Sequence, residues 1–203
     1  MTRKDYETAI SDHSEAIGQI RQSAFDLHAS VGQTYDKTLP YSHHLQMVAE
    51  GVARYGYATC ATADDVVPLM FAAYYHDSIE DARLTYNDVM RTARKYMDEP
   101  HALMATEIVY ALTNDKGRTR AERAGDRYYQ GIRTTPYAPM VKLADRLANM
   151  TYSSQNTNEA NRRMQKVYSD EWPHFIGQIT VKNDDLRLSL PAEMIEAVTA
   201  LLR

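Results

Sequence analysis

Apolar residues recur at helical spacing along almost the whole of this 203-residue chain, and no sustained alternation of period two interrupts them. That pattern confines the chain to helix packed on helix. The opening segment to about His28 carries Ala, Ile, Leu and Phe at helical spacing, followed by a loop from Gly32 to Pro40. Thr62 with Asp65, and Thr85 with Asp88, are capping-box-like starts, shortened by one methylene from the usual Glu. The first precedes a helix expected to carry His76; the second starts one expected to end near Met97. Further helices are expected from Pro100 to about Leu112, Thr119 to Gly131, Pro136 to Tyr152, 157 to 180 and 191 to 202. The last is begun by Ser189 and Pro191. Only Leu186 to Leu190 alternates, as a short extended segment would.

The chain contains no Pro-, Gly- or Ser-rich linker and no repeat, so a single domain over 1–203 is expected, with a core over about 20–180. No apolar stretch approaches the ~20 residues of a membrane span, and the first residues lack a secretory signal's apolar centre. A cytoplasmic protein without membrane attachment is expected. A net charge of −4 argues against nucleic-acid binding, which needs a basic surface to displace counterions. The lone cysteine, Cys60, reads as a small buried or loop residue.

Ionisable residues concentrate where a plain helix surface would not need them. His76, Asp77, Glu80 and Asp81 would stack on neighbouring turns of a helix. His43 and His44 open an apolar-periodic helix, and Asp145 sits among Val141, Leu143, Ala144, Leu147 and Met150, with Asn149 one turn later. A carboxylate buried there needs a partner, and a metal ion is one. The set His44, His76, Asp77 and Asp145 offers two imidazoles and two carboxylates, suited to manganese, iron or zinc, with positions left for water and a substrate oxygen.

The ordered blocks that carry these residues resemble the HD superfamily of metal-dependent phosphohydrolases. Within it the chain closely resembles the RelA/SpoT-type alarmone hydrolases, with the small stand-alone enzymes and the metazoan SpoT homologue among them. Gly32 and Gln33 followed by Pro40, Tyr41 and His44 resemble the branch's Gly-Gln loop and Pro-Tyr-x-x-His. His76, Asp77, Glu80 and Asp81 resemble its His-Asp-x-x-Glu-Asp. Leu112 to Lys116 with Glu122 and Arg123, and Lys142 to Asn149, are similar to its Thr-x-Asp-Lys and Lys-Leu-Ala-Asp-Lys-x-x-Asn segments. The blocks span about residues 25 to 150, and their alignment selects His44 over His43, which is expected to face away.

The resemblance implies an all-α HD-domain helical bundle with a single metal site between helices. It implies that one divalent cation, Mn²⁺ above others, is held by His44, His76, Asp77 and Asp145. Glu80 and Asp81 would handle protons, and Asn149 would contact the nucleotide or support Asp145. The implied reaction is hydrolysis of the 3′-pyrophosphate of ppGpp or pppGpp to GDP or GTP and pyrophosphate. An HD-type phosphohydrolase of NADPH, a nucleoside monophosphate or a dNTP is the alternative, and a non-catalytic alarmone-binding protein a more distant one. Of the cations flanking the fourth ligand, Lys116 and Arg120 are expected to meet the substrate's phosphates, with Glu122 and Arg123 as an internal ion pair. His13, His28 and His174 read as surface or helix-end residues. The only His between the His-Asp pair and Asp145 is His101, too few for a second metal. Tyrosines 55, 57, 74, 75 and 110 read as packing residues. Where many family members are basic just before Gly-Gln, this chain has His28, Ala29, Ser30 and Val31, so reaction type is better fixed than substrate.

Overall fold

The computed structural model describes residues 1–114, 117–155, 158–182 and 184–202. The described residues are all-α apart from one two-stranded hairpin. The N-terminal stretch forms two helices, α1 (Arg3–Asp12) and α2 (Ser14–Ser30), separated at His13. Helix α2 stops in a Schellman turn: Gly32, at φ 68°, donates to Ala29 O, and Gln33 donates to His28 O. The left-handed φ explains why glycine stands there. A tight antiparallel hairpin follows, β1 (Thr34–Tyr35) against β2 (Leu39–Pro40), with Asp36 and Lys37 at positive φ in its turn.

Helices α3 (Ser42–Tyr55) and α4 (Val66–Tyr75) form the centre. Every residue of α4 is buried, as a helix apolar all round must be, and it packs on α2, on α3 and on α6 (Glu99–Leu112). Its start is built by the Thr62 and Asp65 capping box, with a short 3₁₀ turn (Ala63–Asp65) leading in. The Asp65 carboxylate also accepts from the Tyr137 hydroxyl at 2.6 Å, which in turn accepts from Ala61 N at 3.1 Å. Between α4 and α6 lies α5 (Tyr86–Ala93), begun by the expected Thr85 and Asp88 box but ending four residues before Met97.

The charged stretch after α6 forms two helices, α7 (Arg120–Arg123) and α8 (Asp126–Thr134), because the chain breaks at Ala124 and Gly125. Helix α9 (Ala138–Gln155) packs on α3, on α10 (Glu159–Ile179) and on α11 (Ala192–Thr199). Gly51 on α3 sets the α3–α9 approach, since a Cβ there would lie 3.3 Å from Ala144 Cβ. Because Ala144 directly precedes Asp145, this close crossing also brings Asp145 toward His44, two turns upstream of Gly51. Leu186–Leu188 is a 3₁₀ turn rather than extended: the Asp185 carboxylate captures Arg187 N, and no strand among the described residues lies alongside. Among the described residues no helix is long and apolar enough to cross a membrane.

Candidate metal centre and cleft

Three central helices each deliver one donor to the same point. His44 lies in the first turn of α3, His76 directly follows α4, and Asp145 is midway along α9. One ligand atom from each lies within 4.8 Å of the others. His44 Nε2 is 3.2 Å from His76 Nε2 and 3.4 Å from an Asp145 oxygen. Asp77 stands beside them, its Oδ2 2.9 Å from His76 Nε2 and 3.6 Å from His44 Nε2. The helix expected to stack His76, Asp77, Glu80 and Asp81 ends at Tyr75, and 76–81 is a run of turns. Ser78 N donates to Tyr75 O and Leu84 N to Ser78 O, which curls the backbone in place of the helical ladder. Period alone could not separate the two, because one α-like bond, Asp81 N to Asp77 O, survives within the curl.

The donor set fits a cation. His76 Nδ1 lies 2.9 Å from Ala73 O; donation there leaves Nε2 with its lone pair facing the cluster. Asp145 is oriented at both oxygens, Oδ2 accepting from Lys142 Nζ at 2.8 Å and Oδ1 from Asn149 Nδ2 at 2.6 Å. Asn149 Oδ1 in turn accepts from the Tyr35 hydroxyl at 3.0 Å, and the Tyr35 ring stacks on His44 at 5.1 Å. The Tyr41 hydroxyl closes the other side by donating to Asp77.

Charges here are strongly interdependent. Burial disfavours protonation of His44, yet Asp145 and Asp77 outweigh it and push the imidazole up to about 9. Burial likewise opposes the charged form of His76, but the adjacent Asp77 holds it above the ordinary value. Against the penalty of burial, His76 and His44 keep Asp77 well below the carboxylate range, and Lys142 and His44 do the same for Asp145. Binding of a divalent cation requires the neutral imidazoles, so metal loading competes with protons at His44 and His76.

His44, Asp77, Lys142 and Asp145 line a cleft of about 570 Å³, within the usual range of ligand pockets, and His76 lies just behind them. One wall carries Asp77, Glu80 and Asp81. Glu80 accepts from Asn114 N at 2.6 Å and Asn114 Nδ2 at 3.0 Å, so it is fixed from the end of α6. Asp81 is held above the ordinary carboxylate value by burial and then by the charge of Asp77. The rest of the lining is basic and aromatic, with Arg120, Arg123, Arg146, Tyr128, Tyr168 and Phe175.

Arg120 reaches the cleft already paired, donating to Glu171 from Nε at 2.6 Å and Nη2 at 3.1 Å. Lys116 lies outside the described residues. The expected Glu122 and Arg123 pair is absent among the described residues, because Glu122 closes a capping box with Thr119 and accepts from Arg118 N at 2.7 Å. His43 is exposed and meets the rings of Tyr35 and Tyr152 at 6.2 and 5.8 Å. His101 is bound to Asp98 at the start of α6, remote from the cluster. His28 ends up 1% exposed rather than at the surface, stacked on Tyr41 at 4.8 Å, because its face of α2 turns inward. His174 is exposed as expected, in the last third of α10, and lines the cleft. Tyr110 is 55% exposed, its ring packed edge-on against Tyr86 at 5.5 Å rather than into the core.

Three curated relatives resemble the chain, each named guanosine-3′,5′-bis(diphosphate) 3′-pyrophosphohydrolase MESH1. The human protein is 31% identical over 136 residues, the mouse protein 30% over 136 and the zebrafish (Danio rerio) protein 27% over 135. In each case the match covers 66% of this chain and 66% of the relative. No protein-family model matches the chain.

Proposed function

The chain belongs to the same family as the MESH1 guanosine-3′,5′-bis(diphosphate) 3′-pyrophosphohydrolases, and from that premise we propose that it hydrolyses the 3′-pyrophosphate of ppGpp or pppGpp. The products are GDP or GTP and pyrophosphate. The observation that carries the reading is the convergence of His44, His76 and Asp145 beside a cleft that His44 and Asp145 line together with Arg120, Arg123 and Arg146. We assign one divalent cation to His44, His76, Asp77 and Asp145; the mixed nitrogen and oxygen donors suit manganese, iron or zinc, and the family resemblance favours Mn²⁺. When bound there it supplies Lewis-acid polarisation of a phosphoryl oxygen and acidifies water.

The chain's own side chains do the rest. Lys142 and Asn149 fix both Asp145 oxygens, and the Ala73 carbonyl fixes the His76 ring, so the donors do not have to reorganise. Asp81, raised by burial and Asp77, is the group suited to hold and return a proton, and Glu80, pinned by Asn114, orients the attacking water. Arg120 and Arg123 face the phosphates, and Lys116 is assigned to them by its place in the resembled motif. The protein is read as a single cytoplasmic domain acting on a small nucleotide and not on nucleic acid.

Metal-loaded protein assayed in parallel on ppGpp, NADPH, a nucleoside monophosphate and a dNTP tests the assignment. The account expects the highest kcat/KM on ppGpp, with pyrophosphate as the released product. Orthophosphate from NADPH or triphosphate from a dNTP as the dominant activity would move the substrate within the phosphohydrolases and overturn the alarmone reading.

A further inference from the structure

Two arginines on the basic wall share one carboxylate, and that arrangement exceeds what a structural strut requires. Glu171 on α10 accepts both forks of Arg120, and its Oε2 also accepts from Arg146 Nη1 at 3.0 Å. Arg146 lies on α9 next to Asp145, and its guanidinium sits between two rings, 4.7 Å from the Tyr168 centroid and 4.3 Å from that of Phe175. Its side chain is only 8% exposed, so it has few alternative rotamers. Only a planar guanidinium can lie between two rings and bond sideways to a carboxylate at once. Two cations and one anion leave a net positive charge, and Arg123 beside them adds another with no ion pair among the described residues. Arg146 Nε and Nη2 and Arg120 Nη1 find no acceptor among the described residues. Guanidinium donors at a cleft wall that no protein acceptor takes are available to a phosphate oxygen.

We infer that Arg120 and Arg146, preset by Glu171, form a second anion subsite for a phosphate group remote from the one that is cleaved. The inference rests on the reading of the cleft as a nucleotide site and adds which part of the nucleotide each wall takes. The scissile group lies at the donors of His44, His76 and Asp145; for ppGpp the other wall holds the 5′-diphosphate. Glu171 is a positioning residue, touching the arginines and not the substrate. Asp145 and Arg146 are adjacent on α9, about 100° apart around its axis, so one helix aims one residue at each end of the substrate.

The test compares kcat/KM of metal-loaded protein on ppGpp and on guanosine 3′-diphosphate with a free 5′-hydroxyl. Wild type is expected to favour ppGpp by about ten- to a hundredfold, the worth of charge-assisted hydrogen bonds. In Arg120→Met and Arg146→Met that preference falls toward one, with the change in KM; Glu171→Gln lowers it less, and Arg146→Lys recovers it in part. Arg120 is half exposed, so its variant keeps the test informative where loss of the buried Arg146 unfolds the protein. A preference unchanged in Arg120→Met and Glu171→Gln, with both substrates slowed alike, would make the cluster a strut and overturn the inference. If neither nucleotide is turned over, the functional reading has failed. The subsite is then tested by calorimetric titration of the metal-loaded protein with inorganic pyrophosphate. At least tenfold weaker binding in Arg120→Met supports it, and equal binding overturns it.

Discussion

Replacing Asn149 by Ala separates two roles that this residue could play, and its geometry sets the size of the effect. Its amide donates to Asp145 Oδ1 at 2.6 Å, the same carboxylate that lies 3.4 Å from His44 Nε2. Lys142 holds the other oxygen, so Asn149→Ala leaves the donor carboxylate anchored on one side only. A hydrogen bond to a charged acceptor contributes about 1.5–3 kcal/mol, and loss of such an orienting partner lowers metal affinity about 10- to 100-fold. Mn²⁺ titration followed by calorimetry should therefore show a Kd raised by about 10- to 100-fold, or about 1.4–2.7 kcal/mol. Tyr35→Phe removes only the hydroxyl that supports Asn149 from behind, and should give a smaller change in the same direction. At saturating Mn²⁺ the KM for ppGpp should stay near wild type. A Kd within twofold of wild type together with a raised KM would refute this reasoning and make Asn149 a substrate contact instead of a support for the metal donor.

Other perturbations have equally definite outcomes. Glu80→Gln combined with Asp81→Asn should lower kcat by at least about 10²-fold, as removal of acid–base groups does, while Mn²⁺ still binds; unchanged kcat would take proton handling away from the pair. Gly56→Ala would put a methyl 2.3 Å from the hydroxyl of the fully buried Tyr6, which donates to Val52 O. Overpacking of this kind should cost about 1–3 kcal/mol and appear as a lower midpoint in urea unfolding, against which an unaltered midpoint would count. Burial depresses His28 from the ordinary imidazole value to about 4. The unfolded chain therefore takes up a proton before the folded one, and stability present above pH 6.5 is lost as pH falls toward 4. His28→Leu should remove that component, at most about 2 kcal/mol after solvent screening; an acid-unfolding curve identical to wild type would contradict it.

The helical class was legible because apolar spacing and capping chemistry are local. Thr62 with Asp65 and Thr85 with Asp88 lie three residues apart and form the boxes that their types imply. His44, His76 and Asp145 could be picked out because donor types in ordered blocks carry their own signature, and the structure brings those three within ligand distance of one another. What stayed hidden depends on contacts distant in sequence. Glu171 lies 51 residues from Arg120, and Asn114 lies 34 from Glu80, so neither partnership leaves a local trace. Tyr35 joins the site only because the hairpin folds over α3 and α9. His28 has the spacing of a helix-end residue, and its burial follows from how α2 is rotated against α3 and α4, which composition does not encode.

The central claim is that the three-helix cluster binds one divalent cation and that hydrolysis depends on it. Metal-stripped protein titrated with Mn²⁺ in the presence of ppGpp, with products resolved by anion exchange, tests it directly. The account predicts that GDP and pyrophosphate appear in step with added metal and level off at about one equivalent per chain, as a single open catalytic site requires. Undiminished turnover in the stripped protein, or saturation at one equivalent without any cleavage of ppGpp, would contradict it.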